Sequence, residues 1–406
     1  MRLPLAILFA PVVLATALAC SGGAGESRAT APTGPTGPAT LPGQSGPAAL
    51  ASCGTNTTPF SVSPVAMADI LGWVPLGNLG PPGHLFPTDH QYLYVNHPEI
   101  PSTVRHVNVA SPGNITITQV HRTHYSASNT YDYAIEFQPC AELFGSFGHV
   151  TTIVPALLDK LGPFDQNCAA ETSNPLNIFT NCFTKIIAVT VSAGEAIGTT
   201  AGQGTSFALD FSLHDRRVTP LVFANPVRWP VNTMGPDRGH TVAASAYFAE
   251  PARSAIRAKL GTFDGATLRT IEPVDGTIGY DVPGTAQGVW VNAAQPTSPE
   301  SPHVALVPHN VDPTRMAVSM GTSQPAFDPG LYLFTPTSSG TINRNPSQVT
   351  ADGTTYCFQF GQQQGVLLVR LDDATTLRAE GRKGAFTTCA TESPFAFTSA
   401  SFTYKR

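Results

Sequence analysis

Side chains able to bind a metal are concentrated in one stretch of this chain, Gly77-Asn-Leu-Gly-Pro-Pro-Gly-His84-Leu-Phe-Pro-Thr-Asp89-His90-Gln-Tyr-Leu-Tyr94. Imidazole and carboxylate are the donor types that suit zinc, and a rigid Pro/Gly loop running into a strand can aim two of them at one point. Asp89 and His90 are adjacent, so on a strand they face opposite sides. One of them is therefore expected to join His84. Histidines also occur three apart in Val-His121-Arg-Thr-His124-Tyr, where surface positions are the simpler reading, and in His214-Asp215-Arg216-Arg217, which reads as a solvated turn with an ion pair.

The elements that must hold these residues read almost entirely as β-structure. Gly (36) and Pro (37) are abundant, as short strands joined by tight turns require. Runs at Gln91–Val95, Val104–Val109, Ile115–Val120, Tyr131–Phe137, Thr151–Val154, Ile186–Val191 and Ser206–Leu213 predict strands. Pro155–Leu161 fits a short helix, and Asn167–Asn181, between two cysteines, reads as a surface loop. Pro226–Pro236 resembles a linker. Beyond it, Glu250–Leu260 is the best helix, with Pro251 at its start and Ala252, Ala255, Ile256 and Leu260 on one face. Strands are then expected at Thr277–Asp281, Gly288–Ala293, His303–Val307, Met316–Ser319, Gly330–Phe334, Thr354–Phe360, Gly365–Leu371 and Thr376–Glu380, a spacing that suggests a closed antiparallel barrel or sandwich. Gly288-Val-Trp290 resembles the Gly-x-Trp of lipocalin-like barrels, with a Trp plugging one barrel end as the plainer account.

The order of elements in residues 70–225 resembles the lysostaphin-type zinc metallopeptidases, which cut peptide cross-bridges in bacterial cell walls. His84 and Asp89 match that family's first His and Asp, with four residues between them where three are usual. Phe147-Gly-His149-Val150 looks like its later His step, and Val191-Ser-Ala-Gly194-Glu-Ala-Ile197-Gly198 matches its hairpin, the most specific piece. Ser206-Phe-Ala-Leu-Asp-Phe-Ser212 falls where a His-x-His strand belongs, so Ala208 stands at the first His and Asp210 at the second, a zinc ligand. The strand pattern reads as an all-β fold; the resemblance implies a peptidase-like domain of the duplicated hybrid type in its first part, and the later strand spacing a second antiparallel barrel with one short helix. The resemblance implies zinc held by His84, Asp89 or His90, and Asp210, with water in the open position and His149 assisting catalysis. The loss of a His at 208 also implies an alternative, an inactive module that binds wall glycopeptide or regulates another hydrolase. A small-ligand carrier built on the C-terminal barrel is a further alternative by fold analogy.

The N-terminus indicates where this happens. Arg2 precedes an apolar run from Leu3 to Leu18, and Ala17-Leu18-Ala19 is a small-x-small cleavage site directly before Cys20. That Cys resembles the acylated residue of bacterial lipoproteins, although Ala17 sits where Leu is usual. Residues 1–20 thus read as a signal peptide and 21–52 as a Pro/Gly/Thr tether averaging about 30 Å end to end. The peptidase-like domain spans 53–228 and the second barrel 240–406. Of seven cysteines, removing Cys20 leaves Cys53, Cys140, Cys168, Cys182, Cys357 and Cys389, an even set suited to disulfides in an oxidising compartment. Nearness favours Cys168–Cys182, position favours Cys357–Cys389, and Cys53–Cys140 remains. A 12% charged chain with net charge −5 excludes a nucleic-acid partner, which requires a basic stripe. The expected partners are cell-wall peptidoglycan and, through the lipid, a membrane of the bacterial envelope.

Overall fold

The computed structural model describes residues 50–97, 104–174, 177–202, 207–225, 238–298, 300–361, 365–384 and 386–406. The segments expected as a signal peptide with Cys20, nearly all of the expected tether, and the expected linker at 226–236 lie outside the described residues. The first part contains β1 (Gly72–Val74), β2 (Gln91–Tyr94), β3 (Val107–Ala110), β4 (Ile115–Tyr125), β5 (Thr130–Cys140), β6 (Leu143–Val150) and β7 (Thr152–Ile153). After helix α1 (Pro155–Leu161) come β8 (Gln166–Asn174), β9 (Asn177–Phe183), β10 (Val189–Val191), β11 (Ala196–Thr200) and β12 (Ala208–Asp215). Nine of these strands form one sheet in the order β1-β2-β12-β6-β5-β4-β9-β8, with β10 also on β4; β3, β11 and β7 form a smaller sheet.

Alternation along β12 explains the packing of the large sheet. Leu209, Phe211 and Leu213 enter the core, while Ala208 and Asp210 point to the other face, which is also covered, the period of two of a strand buried on both sides. Phe211 stacks on Phe147 at 5.3 Å between ring centroids, Phe147 stacks on Phe137 at 4.8 Å, and Trp73 meets Phe211 edge-on. Each such ring removed from water contributes about 2–3 kcal/mol.

Within Asn167–Asn181, expected as a loop, the described residues instead belong to β8 and β9, which pair with each other, β9 also pairing with β4. Their Asn/Thr-rich composition carries no strand signal, and a tertiary ladder overrides it. The cysteine pairs stand as expected: Cys53–Cys140, Cys168–Cys182 and Cys357–Cys389, with Cα separations of 5.0, 4.2 and 5.7 Å.

The segment following residue 238 belongs to the first core by packing. Tyr247, Phe248, Ile256 and Leu260 join it, around the helix α2 (Ala252–Arg257). Thr277–Asp281, read as a strand, is irregular, and its Ile278 and Tyr280 pack with Val289 and Val291.

The second sheet comprises β13 (Gly288–Asn292), β14 (Val304–Pro308), β15 (Met316–Met320), β16 (Gly330–Phe334), β17 (Tyr356–Gln359), β18 (Val366–Asp373), β19 (Thr376–Arg382) and β20 (Phe402–Lys405). Its order, β16-β15-β14-β13-β20-β19-β18-β17, makes a nearly closed eight-stranded antiparallel barrel. The gap between β16 and β17 is filled by rings: Phe334 stacks on Phe358 at 4.8 Å and Tyr332 lies 5.1 Å from Phe360. Trp290 is fully buried, donates its indole N–H to Ala286 O at 2.9 Å, and carries the Arg406 guanidinium 3.8 Å above its ring. With Phe334, Phe358 and Tyr404 it fills the interior with side chains. The all-β expectation therefore holds for both parts of the chain.

Candidate active site

The loop before β2 is a built structure. Gly77 N–H donates to Thr88 O and Thr88 N–H to Asn78 O, while Gly80 and His84 exchange both backbone hydrogen bonds, at 2.7 and 2.9 Å. Gly77 has φ +79°, and a Cβ there would stand 2.2 Å from Thr277 O, so only glycine fits. This ribbon carries His84 at its tip and returns the chain to β2 with Asp89 and His90 at the junction.

On the outward face, Asp210 lies opposite Tyr92 on one side and Gly148 on the other. Gly148 allows that approach: a Cβ would come within 3.1 Å of the Asp210 Cβ. The next residue, His149, has φ +63°, a conformation rare outside glycine, beside a register shift between Tyr133 and Ile135. Thr200 Oγ1 donates to the His149 carbonyl and so fixes the bend. The bend turns the imidazole towards Asp210.

His90 Nε2 lies 3.5 Å and His149 Nε2 3.4 Å from the same oxygen, Asp210 Oδ2. Each imidazole has a carboxylate behind it. Asp89 Oδ1 lies 3.2 Å from His90 Nδ1, and Asp132 Oδ2 lies 3.0 Å from His149 Nδ1. The His84 ring sits 5.6 Å from the His90 ring, edge to face. Of the adjacent pair, which precedes β2 and so escapes strand alternation, His90 lies beside His84 and Asp89 contacts His90. Asp89 is itself held by Arg238 Nε at 3.7 Å.

The electrostatics sort these groups. Burial, together with the neighbouring His90, pulls His84 down to about 4, leaving it neutral at pH 7. Burial also opposes charge on His149, but Asp210 and Asp132 outweigh it and raise its pKa to about 9. His90 is raised in the same manner: burial works against Asp210 and Asp89, and the carboxylates prevail. For Asp89, burial is outweighed by Arg238 and His90, which hold its carboxyl well below the usual range. Burial and then Asp210 push the Tyr94 phenol up to about 12.

The donor set has the character of a zinc site. Ligands about 2.0–2.1 Å from a tetrahedral ion stand roughly 3.3–3.4 Å from one another, close to the His90–Asp210 separation. No hydrogen-bond partner among the described residues reaches His90 Nε2 or Asp210 Oδ1, both buried. Buried polar atoms are ordinarily satisfied, so Asp210 Oδ1, and His90 Nε2 with only its 3.5 Å approach to Asp210 Oδ2, are compatible with an absent cation. One contact of that length is present, and His84, neutral and with its ring 5.6 Å from that of His90, is the nearby imidazole that could supply a third donor to a coordination shell. The shell is not assembled throughout: among the described residues, the one group whose ligand atoms all lie within 4.8 Å of each other is Cys53, Cys140 and Glu142, and those sulfurs form a disulfide.

The remaining candidates lie elsewhere. His121 stacks on Phe183 at 4.5 Å, and His124 stacks on Tyr131 and meets Asn129 Oδ1 at 3.1 Å. The expected solvated turn at 214–217 is partly a correction. Asp215 is buried, bonded by Arg217 at 2.8 Å and by the Tyr247 hydroxyl at 2.7 Å, because the segment carrying Tyr247 covers the end of β12. Asp132 and Arg238 are the supporting residues that sequence reading missed. Asp132 sits in an ordinary alternating strand, and nothing local marks it.

Comparison with known proteins found no matching family model, curated protein or solved structure.

Proposed function

We propose that this chain is an exported, lipid-anchored protein of the bacterial cell envelope whose first domain is a lysostaphin-type zinc peptidase acting on cell-wall peptides. The observation that carries the reading is the convergence of His84, His90, His149 and Asp210. They come from the loop before β2, its junction with β2, β6 and β12, and two of the imidazoles are backed by carboxylates.

In this reading His84, His90 and Asp210 hold zinc, which when bound supplies Lewis acidity and lowers the pKa of a coordinated water towards 7. Asp89 keeps Nδ1 of His90 occupied so that Nε2 faces the metal, the supporting role that orients a ligating imidazole. His149, protonated near neutral pH and fixed by Asp132, stabilises a developing oxyanion and gives a proton to the leaving amine. Acylation of Cys20 leaves the other six cysteines for the three pairs and places the site at a membrane surface, beside the wall. Among the described residues, no helix is long and apolar enough to cross a membrane.

A second reading, an inactive module that binds glycopeptide or regulates another hydrolase, is favoured by Ala208. It is buried against Val74 and Tyr92, so the position that carries the family's first His of the pair offers no functional group. The carrier alternative draws nothing from the barrel, whose interior is occupied by its own aromatic residues.

The two readings separate in one assay. Protein lacking residues 1–49 is incubated with zinc and purified wall peptide, and new amino termini are identified by mass spectrometry. Peptidase action requires release that disappears in His84→Ala and Asp210→Ala. Binding without release, with cleavage gained on Ala208→His, would instead support the inactive module.

A further inference from the structure

The loop that carries His84 and His90 is gripped from outside by the C-terminal barrel. Leu79, Leu85 and Phe86 pack against Val289, Val291, Ala305, Val307 and Ala317 on the outer face of β13–β15. Leu85 Cδ1 comes close to the barrel backbone at Gly321, where a Cβ would stand 2.8 Å from it and 2.0 Å from Ser301 O. The Phe86 ring lies flat on His303 at 5.5 Å with an 8° interplanar angle. His303 is fixed in turn: Nδ1 accepts from Asn292 N–H at 3.0 Å, leaving Nε2 to donate to Ser298 O at 3.1 Å.

Between these apolar contacts lies a polar one. Glu300, 6% exposed, accepts the Phe86 backbone N–H at 2.9 Å. A buried carboxylate is costly, and a purely packing interface would place an apolar side chain there. Glu300 instead takes up a loop N–H one residue before Pro87, whose carbonyl accepts from Arg238 Nη2 at 2.8 Å. Arg238 faces Asp89, which faces His90. A continuous set of contacts thus runs from the barrel through Phe86, Pro87 and Asp89 to His90.

We infer that the C-terminal barrel is part of the catalytic domain's working scaffold, and that Glu300 and His303 are positioning residues that fix the loop from Leu85 to His90 so that His90 meets Asp210. The inference rests on reading His84, His90 and Asp210 as metal-holding residues. It assigns the barrel a duty at the site, in place of an independent binding role.

The test uses the chain from residue 50 with Glu300→Ala, Glu300→Gln and, as a barrel-core control of comparable loss in Tm, Val318→Ala. Two quantities are read: the low-field His90 Nδ1–H proton resonance of metal-free protein, and zinc affinity by competition with a chromophoric chelator. Glu300→Ala should lose or broaden the His90 resonance and bind zinc roughly ten- to a hundredfold more weakly. Glu300→Gln, which keeps an acceptor, and Val318→Ala should retain the resonance and hold affinity within about threefold of the parent. Survival of the resonance in Glu300→Ala, or its equal loss in Val318→Ala, would overturn the inference. Should the parent bind no zinc, the metal reading fails alone, and the His90 resonance still decides whether Glu300 positions the loop.

Discussion

Across the β6–β12 pair, His149 Nε2 faces Asp210 Oδ2 at 3.4 Å while His149 Nδ1 holds Asp132 at 3.0 Å. The imidazole is therefore clamped between two carboxylates, and its left-handed backbone is what brings it there.

The clamp has a pH signature. Burial opposes the charge on His149, yet the two carboxylates raise its pKa from 6.5 to about 9. The folded state then binds this proton more tightly than the unfolded chain. The resulting stabilisation is complete below about pH 6.5 and is lost as pH rises through about 9. In zinc-free protein, the His149 imidazole resonances should titrate near 9, and Asp132→Asn should lower the midpoint by about one unit or more. A parent midpoint near 6.5 would contradict the clamp.

Phe211 lies at the centre of the first core, touching Phe60, Trp73, Phe137, Phe147 and Phe248. Phe211→Ala should cost about 3–5 kcal/mol in urea unfolding. Ile186→Ala, at a position 60% exposed, should stay within about 0.5 kcal/mol of the parent. Similar effects at the two positions would argue against the packing described.

Arg406 closes the barrel across Trp290 and donates to Val282 O at 3.1 Å and to Gln287 O at 2.6 Å. Arg406→Ala removes a cation–π contact and two hydrogen bonds. It should destabilise the barrel by about 1–3 kcal/mol, read as a lower urea midpoint with Trp290 fluorescence as probe. An unchanged midpoint would mean that the terminal arginine is not part of the closure.

Much of this was legible beforehand, for identifiable reasons. Gly330–Phe334 and Pro155–Leu161 were read with their observed bounds because their patterns are local: an apolar run after Pro-Gly, and Pro at a helix start. β6 was missed because Leu143–Val150 holds two glycines, tolerated only because β12 and β5 lie tightly on either side. β20, four residues after a long Ser/Thr/Ala stretch, became visible only as the strand joining β13 to β19. At the site, the His84–His90 loop announced itself by residue type, and Asp210 emerged through a family resemblance. Asp132, Arg238 and Glu300 were illegible. Their roles arise from cross-strand register and from contacts between distant parts of the chain, which no local pattern encodes.

The most direct test of the central claim is metal analysis of the chain from residue 50, exchanged into zinc and freed of excess by gel filtration. The expected result is one zinc per chain, lost in His84→Ala and in Asp210→Ala, both of which still unfold cooperatively without metal. Zinc-free parent protein, with an unfolding midpoint unmoved by added zinc, would contradict the assignment of His84, His90 and Asp210 as a metal centre.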